Sequence, residues 1–182
     1  MRKRFVGLMI LAVLLPVGAS AQGCGKRVVH FDNTEFYAST MGFLAMELPT
    51  GWFHDSTEKD PFYVIKKGES YKSAKVLMYV NAEPLGSPFD EAVKDDVSAF
   101  RQRCEKLSVE DLKRPIILEK ACPVISQMFT CSKKDGSYVD LDTKIAISGL
   151  LVNVVLSAPT REELEKYKAD YNFLLQHLAS GQ

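Results

Sequence analysis

The chain has 182 residues, with 23 Lys+Arg balancing 23 Asp+Glu, 46% hydrophobic residues and 25% charged ones. That size suits one domain with a real core, and the even charge balance supplies no basic patch of the kind a nucleic-acid backbone or an anionic membrane requires. Repeats and low-complexity tracts are absent.

Residues 1–21 read as a signal peptide. Arg2, Lys3 and Arg4 form a basic start, Phe5 to Leu15 an apolar core too short for the ~20 residues of a membrane span, and Ala19-Ser20-Ala21 a small-residue cleavage site. Cleavage there leaves 20 Lys+Arg against 23 Asp+Glu, a mildly acidic net charge of −3. Cys24, following Gly23, is a candidate lipidation site in the manner of bacterial lipoproteins, although Ala21 and Gln22 depart from the usual residues before the acylated cysteine. A membrane partner is expected only if Cys24 is lipidated.

Residues 22–41 form a lead-in, irregular in expectation, with a short strand allowed at Val28–Phe31 and a turn at Asp32-Asn33-Thr34. A single domain is expected over 42–179. Leu44, Met46 and Leu48 alternate along a strand from Gly42 that Pro49 and Gly51 end before Trp52. Phe62–Lys66 is a second strand, Gly68-Glu69-Ser70 a turn, and Ala74–Val80 a third strand. The period then turns helical: with Ser87 as cap and Pro88 at the first helical position, Phe89, Val93, Val97, Phe100 and Cys104 mark one face. Beyond a polar stretch at Ser108–Arg114, Ile116–Leu118 and Val124–Cys131 read as strands around an Ala121-Cys122-Pro123 turn, and Asp135-Gly136 signals a hairpin.

The C-terminal run is the most legible. Val139, Leu141, Thr143, Ile145 and Ile147 alternate with Tyr138, Asp140, Asp142 and Lys144, the pattern of a strand with one buried and one wetted face. A Ser148-Gly149 turn leads to Leu150–Leu156, apolar on both parities and therefore expected at the centre of a sheet. After Pro159, Thr160 and Glu163 make a capping box for a helix with a stripe at Leu164, Tyr167, Tyr171, Leu174, Leu175 and Leu178. Burying that stripe at roughly 1.5–3 kcal/mol per side chain makes it a main source of stability, largely offset by chain entropy. The fold class is α+β: a mostly antiparallel sheet of about six or seven strands packed by two main helices.

The strand ending in Leu48-Pro49-x-Gly51-Trp52, the aromatic strand Phe62–Ile65, the helix Phe89–Cys104, the hairpins and the Pro159-Thr160 helix start together resemble the PsbP-like family. That family includes the extrinsic subunit of the photosynthetic oxygen-evolving complex, DcrB-type bacterial lipoproteins and a Ran-binding nuclear import factor. The resemblance implies an α/β/α sandwich and a non-enzymatic accessory or binding role, with the bacterial envelope branch fitting an exported chain. Because family members do unrelated jobs, it carries over no site residues.

Among the candidate sites, four cysteines in an exported chain permit disulfides, and no CxxC spacing suggests a redox or zinc motif. Cys122 and Cys131 stand at opposite ends of a strand, about 30 Å apart, too far to bond. Cys104 and Cys131 fall at the same end and are the candidate disulfide, worth ~3–5 kcal/mol in the chain-entropy model; Cys24–Cys122 is open if Cys24 is not acylated. Trp52, His54 and Asp55 are candidate pocket-rim residues, with Trp52 as a core anchor the competing reading. Neither His30 nor His177 belongs to a ligand motif, and Ser56-x-x-Lys59 lacks the companion motifs of penicillin-binding enzymes. Asp140 and Asp142 are read as a solvated sheet face partly neutralised by Lys144. No catalytic, metal or cofactor residues are assigned. The function expected is an exported, non-catalytic accessory or binding protein acting on an unknown envelope protein or small ligand, without nucleic acid. The alternatives are a carrier of small apolar molecules or lipids, and a small hydrolase using His54 with Asp55 or Glu58.

Overall fold

The computed structural model describes residues 34–39, 42–57, 61–117 and 122–181. The element order is β1 (Thr34–Ser39), β2 (Gly42–Glu47), β3 (Trp52–Asp55), β4 (Phe62–Lys66), β5 (Leu77–Pro84), α1 (Phe89–Arg103), β6 (Lys106–Asp111), β7 (Val124–Lys133), β8 (Gly136–Ile147), β9 (Leu150–Ala158), α2 (Arg161–Gln176) and β10 (Leu178–Gly181). Seven strands form one sheet in the order β3-β4-β5-β9-β8-β7-β6, every neighbouring pair antiparallel. A small second sheet, β1-β2-β10, is antiparallel as well. The α+β class and the two helices are as the sequence pattern indicates.

The centre of the large sheet follows from apolar patterning. β9, buried on both faces apart from Asn153 and Ser157, lies fourth of seven. It leaves β8 through the two-residue Ser148-Gly149 turn, both residues at positive φ (51° and 78°), the mirror-image turn whose twist matches the flanking strands. At Thr160 the side-chain oxygen accepts a hydrogen bond from Glu163 N–H at 3.2 Å, the N-cap that starts α2. Leu164, Tyr171, Leu174 and Leu175 of α2 are each no more than 1% exposed, packed with Met78, Val80, Val154, Leu156 and Leu141 of the sheet in a single core. Tyr171 satisfies its hydroxyl inside that contact by donating to Val154 O at 2.7 Å.

Other expectations shift. Thr34–Ser39, in the expected irregular lead-in, is a strand, and with Gly42–Glu47 it joins the small sheet, not the large one. Leu178 belongs to β10 beyond the helix, still 3% exposed and part of the core. The edge strand on one side is Lys106–Asp111, where Leu107 and Val109 alternate with Lys106, Ser108 and Glu110; Ile116 stands 71% exposed outside any strand. Pro88, not Ser87, is the N-cap of α1, and its carbonyl takes the first N–H groups from Glu91 and Ala92. Residues 1–33 lie outside the described residues, and with them the expected signal peptide and Cys24.

Cys104 and Cys131 are bonded with Cα atoms 5.5 Å apart, tying the C-cap of α1 to β7. The antiparallel β6 brings this about: Leu107 stands opposite Cys131, so the chain leaving α1 turns back beside that end of β7. Cys122 is also disulfide-bonded.

Leu174→Ala is expected to lower the unfolding free energy by about 2–5 kcal/mol, read as a lower urea midpoint at unchanged slope, because the α2 contact is too closely packed to collapse around the gap.

Candidate functional site

The two faces of the large sheet have opposite chemistry. Register places Trp52, His54, Phe62, Val64, Met78, Val80, Val154 and Leu141 on the α2 face, and Tyr63, Tyr79, Asn81, Asn153, Val155, Asp140, Asp142, Lys144, Gln127 and Phe129 on the α1 face.

Of the expected rim residues, Trp52 and His54 line a hollow of about 540 Å³ with Glu47 to Gly51, Phe53 and Phe173. Trp52 is nonetheless a core anchor, 3% exposed, with Nε1 donating to Asp170 Oδ2 at 2.7 Å and its ring edge-on to Tyr167 at 5.7 Å. Lys66 Nζ sits 4.1 Å from the centre of the Trp52 ring and 3.3 Å from the same Asp170 oxygen, so one aromatic, one cation and one carboxylate fasten β3 and β4 to α2. Asp55 points to the other face, where it accepts from Thr57 Oγ1, Thr57 N and Tyr71 N. These bonds, the Thr57 hydroxyl foremost, hold its pKa below the ordinary value. His54 stacks on Phe62 at 3.8 Å. As strand neighbours His54 and Asp55 face opposite ways, so the structure does not bring them together as an acid–base pair. Glu58, Lys59 and His30 lie outside the described residues.

The α1 face departs most from the sequence reading. Asp140, Asp142 and Lys144, expected on a solvated face, are 3%, 3% and 1% exposed, because α1 lies over them. Lys144 Nζ donates to Asp142 Oδ2 and pairs with Asp96 of α1 at 2.8 Å, so the cation meets carboxylates from both layers. Burial works to lower the Lys144 pKa, but the two carboxylates outweigh it and keep the ammonium charged. Burial likewise raises Asp142, against the pull of Lys144. Asp140 is farther from a cation, and burial pushes it up to about 7 despite a hydrogen bond from Ser157. Phe100 of α1 stacks on Phe129 at 4.5 Å and closes the disulfide side.

On the opposite side α1 does not seal. A trough of about 350 Å³ opens between Asp96, Phe100 and Arg103 of α1 and the strand residues Tyr63, Tyr79, Asn81, Asn153, Val155 and Asp142. Asn81 and Asn153 are cross-strand partners, and Asp142 stands opposite Val155, diagonal to Asn153. Asn81 Oδ1, Asn153 Oδ1 and Asp142 Oδ1 are all buried without a hydrogen-bond partner. The sequence reading missed this site. Its one signal was Asn153, the single polar residue in the otherwise apolar run Leu150–Leu156.

No family model matches the chain, and no curated protein matches it. Among solved structures, cyanobacterial PsbP (CyanoP) from Synechocystis sp. PCC 6803 superposes with a TM-score of 0.52 at 13% identity, over 86% of this chain and 97% of that one. The fold is PsbP-like. A protein from Bacteroides thetaiotaomicron VPI-5482 superposes with a TM-score of 0.50 at 8% identity over 76% of this chain, which spans 45% of that longer one. The Ran-binding protein Mog1p of Saccharomyces cerevisiae reaches a TM-score of 0.47 at 13% identity, over 76% of this chain and 84% of that one. The CyanoP superposition carries the architecture alone and leaves function to the site.

Lys144→Met leaves the buried Asp142 and the half-buried Asp96 without their cation and is expected to cost about 3–5 kcal/mol at neutral pH, whereas the double change Lys144→Met with Asp142→Leu recovers most of that loss in urea unfolding. Asp140 gives a pH signature. Its folded-state pKa of about 7 lies above the ordinary 3.8, so folding takes up a proton between those values. The penalty for ionising it is absent below about pH 4 and complete above about pH 7. Asp140→Asn is therefore expected to remove a fall in stability, on the order of a few kcal/mol, that the unaltered protein shows between about pH 4 and pH 7 in urea midpoints.

Proposed function

We propose that this is an exported, non-catalytic binding protein of the bacterial cell envelope whose small-molecule ligand occupies the trough beside α1. The observation that carries the reading is that three residues lining one cavity of about 350 Å³, Asn81, Asn153 and Asp142, each hold an unpaired buried oxygen. Buried polar atoms in a folded domain are nearly always satisfied, and a cavity of this volume falls within the ~300–1,000 Å³ of small-ligand sites. Export is supported by the leader-like residues 1–21 and by the Cys104–Cys131 bond, which persists in oxidising compartments. The PsbP-like fold is in keeping with an accessory role, and the DcrB-type envelope branch is the assignment that fits an exported chain.

The carrier alternative finds less support. The hollow beside α2, lined by Leu112, Pro115, Leu141, Tyr171 and others, measures about 270 Å³, and the helix face behind it is closed by Leu164, Leu174 and Leu175.

The test expresses the chain with its own first 21 residues in a Gram-negative host. The expected outcome is an exported protein whose mass begins at Gln22, with Cys104 linked to Cys131 in a non-reducing peptide map. Its native mass spectrum is expected to carry a small-molecule adduct that Asn153→Leu loses. A diacylglyceryl increment on Cys24 replaces the soluble form by a lipoprotein. A reduced, cytosolic, adduct-free chain overturns the reading.

A further inference from the structure

We propose that the trough beside α1 recognises a primary alkylammonium group, an inference that rests on the trough being the ligand site. Three of the residues that line it each carry a buried, unpaired acceptor: the amide oxygens of Asn81 and Asn153 and one carboxylate oxygen of Asp142. A primary ammonium carries three N–H donors and no acceptor, so it matches the set; a carboxylate, phosphate or carbonyl ligand brings further acceptors and leaves the three oxygens unsatisfied.

The protein's own cations do not fill the position. Lys144 is spent on Asp142 Oδ2 and on Asp96, which leaves Asp142 Oδ1 open. Arg103 turns back on its own helix, its Nε donating to Ala99 O at 3.2 Å and its guanidinium lying 4.8 Å from the centre of the Phe100 ring. Lys144 also supplies an internal precedent, since this sheet face already stabilises one ammonium between two carboxylates. Tyr63 and Tyr79 wall the same trough, 6.0 Å apart between ring centres, and offer apolar surface for an alkyl stem and π-faces for the charge. Asn81 and Asn153, held opposite one another across β5 and β9, fix two of the three acceptors on rigid strands.

The experiment is calorimetric titration of the full mature chain at neutral pH with propylamine, tetramethylammonium and propionate, repeated on Asn81→Ala and Asn153→Ala. Both variants delete an unpaired acceptor and are expected to melt no lower than the unaltered protein. Propylammonium is expected to bind at least about tenfold more tightly than either control, and each variant to weaken it about 10- to 100-fold. Equal binding of tetramethylammonium overturns the N–H donor match. Tighter binding of propionate, lost in Asn153→Ala, overturns the ammonium class while leaving the trough as a ligand site. No binding of any probe at ~10 mM, with a crystal structure showing only ordered water on the three oxygens, overturns both this inference and the trough as the site.

Discussion

The contact between α2 and the centre of the large sheet is the constraint on which the rest of the structure depends. Four α2 side chains are each no more than 1% exposed against strands β5, β9 and β8, and Tyr171 spends its hydroxyl on the β9 backbone. That contact fixes which face of every strand is apolar, because a one-residue slip in any register would send the whole hydrophobic set to the other side. It also fixes the chemistry left over. Once Leu141, Thr143, Ile145, Val154 and Leu156 are committed to α2, the alternate residues Asp140, Asp142, Lys144, Asn153 and Asn81 must occupy the opposite face.

α1 covers that second face by a different means. Only Val93 and Phe100 of α1 are fully buried, and the helix is held by the Cys104–Cys131 bond, the Phe100–Phe129 stack and the Asp96–Lys144 pair. A covalent link at the C-terminal end and an ion pair near the middle fix the helix without the interdigitated packing that α2 has. The consequence is a cover that buries Lys144 but leaves a trough lined by Asn81, Asn153 and Asp142. A helix fastened by apolar packing along its whole length would have left no trough.

The legibility of the chain follows this asymmetry. Where a fold is decided by apolar periodicity the residues announce it: the Ser148-Gly149 turn, the central position of Leu150–Leu156, the Thr160 cap and the α2 stripe are all visible in sequence. The Cys104–Cys131 pair was legible too, because strand length alone separates Cys122 from Cys131. The charged face was not. Alternation of Asp140, Asp142 and Lys144 with apolar residues says that the two sets lie on opposite faces, but it is silent on whether a helix will cover the polar one. Burial of those charges depends on Asp96, nearly 50 residues away, meeting Lys144 across layers. Short edge strands were obscure for a related reason: Lys106–Asp111 has little apolar content and Trp52–Asp55 is only four residues long, and both exist because a longer neighbour offers them a ladder. The expected rim residues divided for a plain geometric reason, since adjacent strand positions send His54 and Asp55 to different faces.

A PsbP-like sheet with helices on both sides sets where a ligand could bind without saying which ligand. On the α2 side the fold closes its own core, and change there is costly. On the α1 side the cover is held by the disulfide, the Phe100–Phe129 stack and the Asp96–Lys144 pair, and the residues lining the open trough beside them lie outside the apolar core. In this chain those residues are tyrosines, asparagines and a shared carboxylate. Proteins alike in the first face and unlike in the second would share a fold and differ in partners. On the proposed reading, the α1 face, where buried oxygens stand unpaired, is therefore the place where ligand specificity would be set.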